Sequence, residues 1–205
     1  ATTEIYTLSL HERSSDLYST STICALATAP GIGAIAVVRL SGKDAITICN
    51  KAFFGKDLTQ VESHTAHFGT LRDGEKIVDE VLVTVFKGKK SFTGENSVEI
   101  STHGSPYIQQ QVIQLLLKNG AEQAGPGEFT LRAFLNGKMD LSQAEAVADV
   151  IAANSETSHE MAINQMRGGF STEIQKLREE LIHFASLIEL VLDFFEDFVE
   201  FSNIS

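Results

Sequence analysis

Gly125-Pro126-Gly127-Glu128-Phe129-Thr130-Leu131-Arg132-Ala133-Phe134-Leu135-Asn136-Gly137-Lys138 is the stretch at which the chain changes character. It reads as a turn, then a short helix whose first turn carries Glu128, then a glycine stop with a cation beside it, as helix punctuation and the macrodipole favour. Upstream, runs rich in β-branched residues between Gly, Asp and Lys clusters predict strands over 22–29, 34–40, 66–71, 77–86 and 97–103, with helices over 44–53 and 107–117. From Glu128 onward no strand signal survives, and helices are predicted over 128–136, 142–153 and 156–199. The expected fold is α+β. A small mixed-sheet α/β domain spans 21–125, and a partial all-helical domain follows over 126–205. Residues 1–20, polar and aperiodic, read as a disordered arm or non-native leader.

In the last predicted helix, Ile163, Met166, Phe170, Ile174, Leu177, Leu181, Phe184, Ile188, Val191 and Phe195 follow one another in steps of three and four. A helix cannot bury such a stripe against itself, so the stripe requires another helix to pack on. From Glu156 to the end, ten acidic and three basic residues leave a net charge of −7, which suits a solvated outer face.

The whole chain carries a formal charge of −11, which argues against its gripping a nucleic-acid backbone alone, since phosphate neutralisation needs clustered Lys and Arg. Cys24 and Cys49, without an apolar signal segment, point to a reducing cytoplasm rather than a disulfide framework. No run approaches the ~18 apolar residues of a membrane span. The cysteines and six histidines lack paired metal-ligand spacing, so no metal is expected.

Two phosphate-binding patterns fail on inspection. Gly31-x-Gly33-x-x-Ala36 leads into the strand Ala36-Val37-Val38, whereas a dinucleotide fingerprint opens a helix, so a turn between two strands is expected instead. At Gly137-Lys138, Arg132 stands where a phosphate loop needs its first glycine, and Met139 where it needs Ser or Thr. Three polar stretches remain: Arg39-Leu40-Ser41-Gly42, Ser91-Phe92-Thr93-Gly94-Glu95 with Glu99 behind it, and 125–140. Arg39 ends an apolar strand, and Glu99 alternates with Val98 and Ile100. Each is placed either to enter a cleft at a sheet face or to stand exposed on a strand.

Taken in order, Thr22-Ile23-Cys24-Ala25-Leu26-Ala27-Thr28-Ala29-Pro30-Gly31, Arg39-x-Ser41-Gly42, Ser91-Phe92-Thr93-Gly94-Glu95, Pro126 through Leu141 and Ala144-Glu145-Ala146-Val147-Ala148-Asp149 closely resemble the MnmE (TrmE) family of bacterial and organellar tRNA-modifying GTPases. The resemblance covers about residues 21–201. It implies a front domain that binds 5-formyl-tetrahydrofolate and forms a homodimer, then a helical domain interrupted by an inserted GTPase domain. It also implies a parent activity in which a flavin-dependent MnmG-type partner helps to form an aminomethyl-type group at carbon 5 of the tRNA wobble uridine. By motif, the folate contacts are Arg39, Glu99 and Lys138. Arg and Lys suit the glutamate-tail carboxylates or a carbonyl, and a carboxylate suits the amino-pyrimidinone edge of a pterin.

GTP, magnesium and potassium belong by the same resemblance to the GTPase domain, about where this sequence stops. The expectation is that this chain alone hydrolyses no GTP and contributes no catalytic residue, in a parent that is cytoplasmic, or organellar in a eukaryote, and not membrane-bound. The sequence departs from the family at Ser105, where a second glycine usually follows His103-Gly104, and at 194–201, where an Asp-Phe-Pro segment is usual. Two alternatives stand beside this reading: an assembly module without a working folate site, and a free-standing folate-dependent one-carbon transferase.

Overall fold

The computed structural model describes residues 21–202. The expectations for residues 1–20 and for the side chains of 194–201 fall outside the described residues. The residues form two compact units that divide between Lys138 and Met139.

In the first unit, strands β1 (Ile23–Leu26), β2 (Ile35–Ser41), β3 (Phe53–Phe54), β4 (Thr65–Asp73), β5 (Lys76–Phe86), β6 (Ser97–His103) and β7 (Glu122–Gln123) form one sheet in the order β3-β4-β5-β6-β2-β1-β7. Neighbours run antiparallel except β1 and β7, which makes the sheet mixed as expected. Helices α1 (Ala45–Ala52) and α2 (Pro106–Lys118) pack on the sheet. The core follows from the period-two alternation of the strands: Val38, Leu40, Val81, Val83, Val85, Val98 and Ile100 are buried with Ile48 and Cys49 of α1 and Val112, Leu115 and Leu116 of α2. The intervening residues face the other way. There Phe68 pairs with Leu82, Leu82 with Ser101 and Ser101 with Val37, and Phe68 and Leu82 remain exposed.

Pro106 at the first turn starts α2, and the amides of Gly120 and Ala121, bonded to the carbonyls of Leu117 and Leu116, end it in a Schellman turn. Ser105, the departure from the family pattern, caps α2 with φ −75° and ψ 130°, a conformation open to any residue. Gly104 before it is more constrained. It exchanges backbone hydrogen bonds with Gly33 and Ala34, and a Cβ on it would lie 2.3 Å from the Gly33 carbonyl oxygen. Helix α3 (Glu128–Leu135) belongs to this first unit, although the sequence pattern placed it with the helices downstream.

The second unit contains α4 (Leu141–Ala152), α5 (Glu156–Met166) and α6 (Gly169–Ser202). Capping boxes at Asp140/Gln143 and Ser155/Ser158 start α4 and α5. Ala146 of α4 and Ala162 of α5 are buried, and Gln165 and Gln143 reach across to the backbone of Ser142 and Met166. The single helix expected over 156–199 is in fact two, separated at Arg167-Gly168. Gly168 adopts φ +84°, which ends α5, while its carbonyl accepts from Thr172 to begin α6. Along α6, Ile174, Leu177, Leu181, Phe184, Ile188 and Val191 of the apolar stripe are 45–67% exposed.

Candidate functional site

Strand register builds the site. Arg39 on β2 lies opposite Glu99 on β6, and because Val38, Leu40, Val98 and Ile100 point into the helix-covered core, both charged residues leave the sheet on the other face. Glu99 Oε1 accepts from Arg39 Nε at 3.0 Å and from Nη2 at 2.7 Å. The side chains are 27% and 32% exposed, so the pair is only partly wet. The guanidinium carbon lies 5.4 Å from the Phe92 ring centroid and 5.7 Å from that of Phe129, within cation–π range of both.

Phe92 is positioned by the Ser91–Glu95 loop, which buried hydroxyls hold together. Thr93 Oγ1 lies 2.6 Å from Ser41 Oγ, 3.4 Å from Ser91 Oγ and 3.3 Å from Ser97 Oγ, while Ser41 Oγ donates to Glu95 Oε2 at 2.8 Å. Buried polar groups that satisfy one another in this way define one loop geometry rather than several. Phe129 is positioned by α3, which Arg132 anchors. Arg132 Nε and Nη2 donate to Glu128 Oε1 at 3.1 and 2.8 Å, and Nη1 donates to the Ser21 carbonyl at 2.9 Å and more distantly to Glu95. Asn136 Nδ2 then fastens the end of α3 to the Thr93 carbonyl at 2.7 Å.

Lys138 follows the glycine stop read from the sequence. The amides of Gly137 and Lys138 bond the carbonyls of Phe134 and Ala133, a Schellman turn with Gly137 at φ +67°. This turn lays the Lys138 stem on the loop: a Cβ on Gly94 would lie 3.2 Å from Lys138 Cγ. Lys138 Nζ donates to the Lys89 carbonyl at 2.8 Å. Of the three residues named from the sequence, Arg39 and Glu99 are therefore joined directly. Lys138 sits against the neighbouring loop, and among the described residues no hydrogen bond or ion pair links it to them.

Phe92, Phe129, Glu95 and Arg132 lie in the stretches singled out from the sequence, but their roles were not read there. The four-residue spacing of Glu128 and Arg132 was the available signal for one helix-borne ion pair. The cysteines take no part. Burial pushes the Cys24 thiol up to about 11 and the Cys49 thiol up to about 12, so both stay protonated and pack as small apolar groups. Among the described residues, no group of three or more His, Cys, Asp or Glu is placed to hold a metal ion, and no helix is long and apolar enough to cross a membrane.

The family model for the N-terminus of the GTP-binding protein TrmE matches residues 22–138, and that for the MnmE helical domain matches residues 141–205. Curated relatives include the tRNA modification GTPase MnmE of Flavobacterium psychrophilum, 63% identical over 89% of this chain and 40% of its own length. Proteins with the same name from Cytophaga hutchinsonii and Bacteroides fragilis are 59% and 57% identical, over 90% and 89% of this chain and 40% of their own lengths. The chain thus spans about 40% of the length of these relatives.

Proposed function

The chain belongs to the MnmE (TrmE) family of tRNA modification GTPases, and on that premise we propose that it is the front part of such an enzyme, a part that binds 5-formyl-tetrahydrofolate and pairs with a second copy of itself. The observation that carries the folate reading is the Arg39–Glu99 pair, with the Arg39 guanidinium within cation–π range of two phenyl rings. A pterin is flat and donor-rich at its amino-pyrimidinone edge, and the folate tail ends in carboxylates. Glu99 suits the edge, the rings of Phe92 and Phe129 suit the flat faces, and Arg39 and Lys138 suit the tail. When bound, the folate supplies a one-carbon unit.

In the parent enzyme this unit serves the formation of an aminomethyl-type group at carbon 5 of the tRNA wobble uridine, together with a flavin-dependent MnmG-type partner. GTP, magnesium and potassium act in a GTPase domain outside this sequence, and the enzyme works in the cytoplasm or an organelle. The formal charge of −11 favours tRNA contacts elsewhere than on this chain. The exposed row through Phe68 and Leu82 on the open sheet face supports pairing between copies.

Calorimetric titration of 5-formyl-tetrahydrofolate into the chain, with Arg39→Ala, Glu99→Ala and Lys138→Ala alongside, tests the folate reading. Saturable binding that the folded variants weaken supports it; a well-folded chain that binds nothing sinks it. A pure assembly role is the second reading, favoured by the exposed stripe on α6, and it predicts that second result.

A further inference from the structure

In the structure, the carboxylate of the candidate site already has a partner from within the chain. Arg39 presents two N–H donors from one planar group to Glu99 Oε1, and the amino-pyrimidinone edge of a pterin presents the same kind of donor fork. A carboxylate takes such a fork with both of its oxygens, and Oε1 already accepts both Arg39 bonds, so Arg39 and the pterin edge compete for it. The geometry points to Arg39 as an internal stand-in for the pterin edge, one that yields Glu99 to the ligand and turns its own charge to the ligand's tail carboxylate. This inference rests on the folate reading and adds a selection rule to it.

Glu99 is the fixed member of the pair, because β6 lies inside the sheet between β5 and β2, and a short side chain there has little reach. Arg39 is the movable member. Its stem has more rotatable bonds, and Phe92 and Phe129 offer two ring faces along which the guanidinium keeps cation–π contact while it changes partner. About two-thirds of each charged side chain is withdrawn from solvent, so separating the pair leaves each charge in need of a new partner. A charge-assisted bond left unmade at such a site corresponds to about tenfold or more in affinity. A ligand bearing a donor fork and a carboxylate replaces both partners. A ligand bearing the fork alone strands Arg39.

The test titrates 5-formyl-tetrahydrofolate and a tail-less analogue, 5-formyl-6-methyl-tetrahydropterin, into the wild-type chain, Arg39→Gln and Glu99→Gln, with thermal unfolding measured in parallel. The wild type is expected to bind the tail-less compound at least about tenfold more weakly than the folate. Arg39→Gln is expected to bind the tail-less compound about tenfold more tightly than the wild type does, and to separate the two ligands little. Glu99→Gln weakens both. If Arg39→Gln gains nothing for the tail-less compound while the wild type binds folate normally, the stand-in role is overturned and the folate reading survives. A wild type that binds neither compound overturns both. Arg39→Met, which keeps an unbranched apolar stem, repeats the comparison should the glutamine variant melt early.

Discussion

Replacing Arg132 by Met keeps an unbranched stem of similar reach and removes the guanidinium, so it isolates the charge that anchors α3. Arg132 is 8% exposed. The substitution removes two bonds to Glu128, at 3.1 and 2.8 Å, and one to the Ser21 carbonyl at 2.9 Å; the contacts to Glu95 at 3.4 and 3.5 Å are too long to add much. Breaking a buried charge pair typically costs about 3–5 kcal/mol. Glu128 is 27% exposed and keeps the Gly125 amide as a donor, so water and backbone recover part of that, leaving a loss of about 2–3 kcal/mol. For a unit of this size the loss corresponds to a fall in melting temperature of roughly 10 °C. Urea unfolding followed at the amide NMR signals of β2 and β6 reads the first unit by itself. Arg72→Met is the control: Arg72 has one hydrogen bond to Thr70 and stacks over Phe54, and its loss should cost about 1 kcal/mol or less. If Arg132→Met costs no more than Arg72→Met, the anchoring role of Arg132 is wrong.

Gly104→Ala should destabilise the first unit by about 2 kcal/mol, because its Cβ would force apart the two backbone bonds to Gly33 and Ala34; Ser105→Gly should change stability by a few tenths, and urea midpoints compare the two. Hydrogen bonds from the Ser171 hydroxyl first, then the Gln143 amide, hold the Asp140 carboxyl below the usual range, so its contribution is present above about pH 4 and lost as pH falls. Asp140→Ala also removes the N-cap of α4, which should cost about 1 kcal/mol near neutral pH, and it should flatten the acid limb of a urea-midpoint profile. Raised thiols at Cys24 and Cys49 should resist alkylation in the native chain near pH 8, and stability should decline as pH rises above about 9, where unfolded thiols ionise first; Ala at both positions should reduce that decline. Light scattering should find the chain self-associated, with Phe68→Glu/Leu82→Glu and Leu181→Glu/Leu190→Glu each removing a different contact; a clean monomer at high concentration would contradict this.

Much of the fold was legible because side-chain periodicity and helix punctuation are local. β6 spans Ser97–His103 as read, α2 was placed within a residue at each end, and the stop at Gly137 is a Schellman turn. The two-residue strands β3 and β7 carry no pattern, since the edges of β4 and β1 supply what makes them strands. The break at Gly168 was hidden for a related reason: the apolar rhythm runs through Arg167-Gly168, whereas the interruption lies in a backbone angle.

At the site, the end of an apolar strand at Arg39 and the alternation about Glu99 left a cleft or an exposed strand open for both, and the family motifs singled out Arg39, Glu99 and Lys138. Their partnership was a tertiary matter. Arg39 and Glu99 stand 60 residues apart, and a shift of one residue in the pairing of β2 with β6 would have sent one side chain past the other. Periodicity and punctuation thus determined the longer strands and helices and the alternation that buries one face of the sheet. The ladder between distant strands, and the hydroxyl cluster and Arg132 that lock the loop against α3, decided which charges meet, because hydrogen-bond register between distant segments is set where they pair and not within either segment alone.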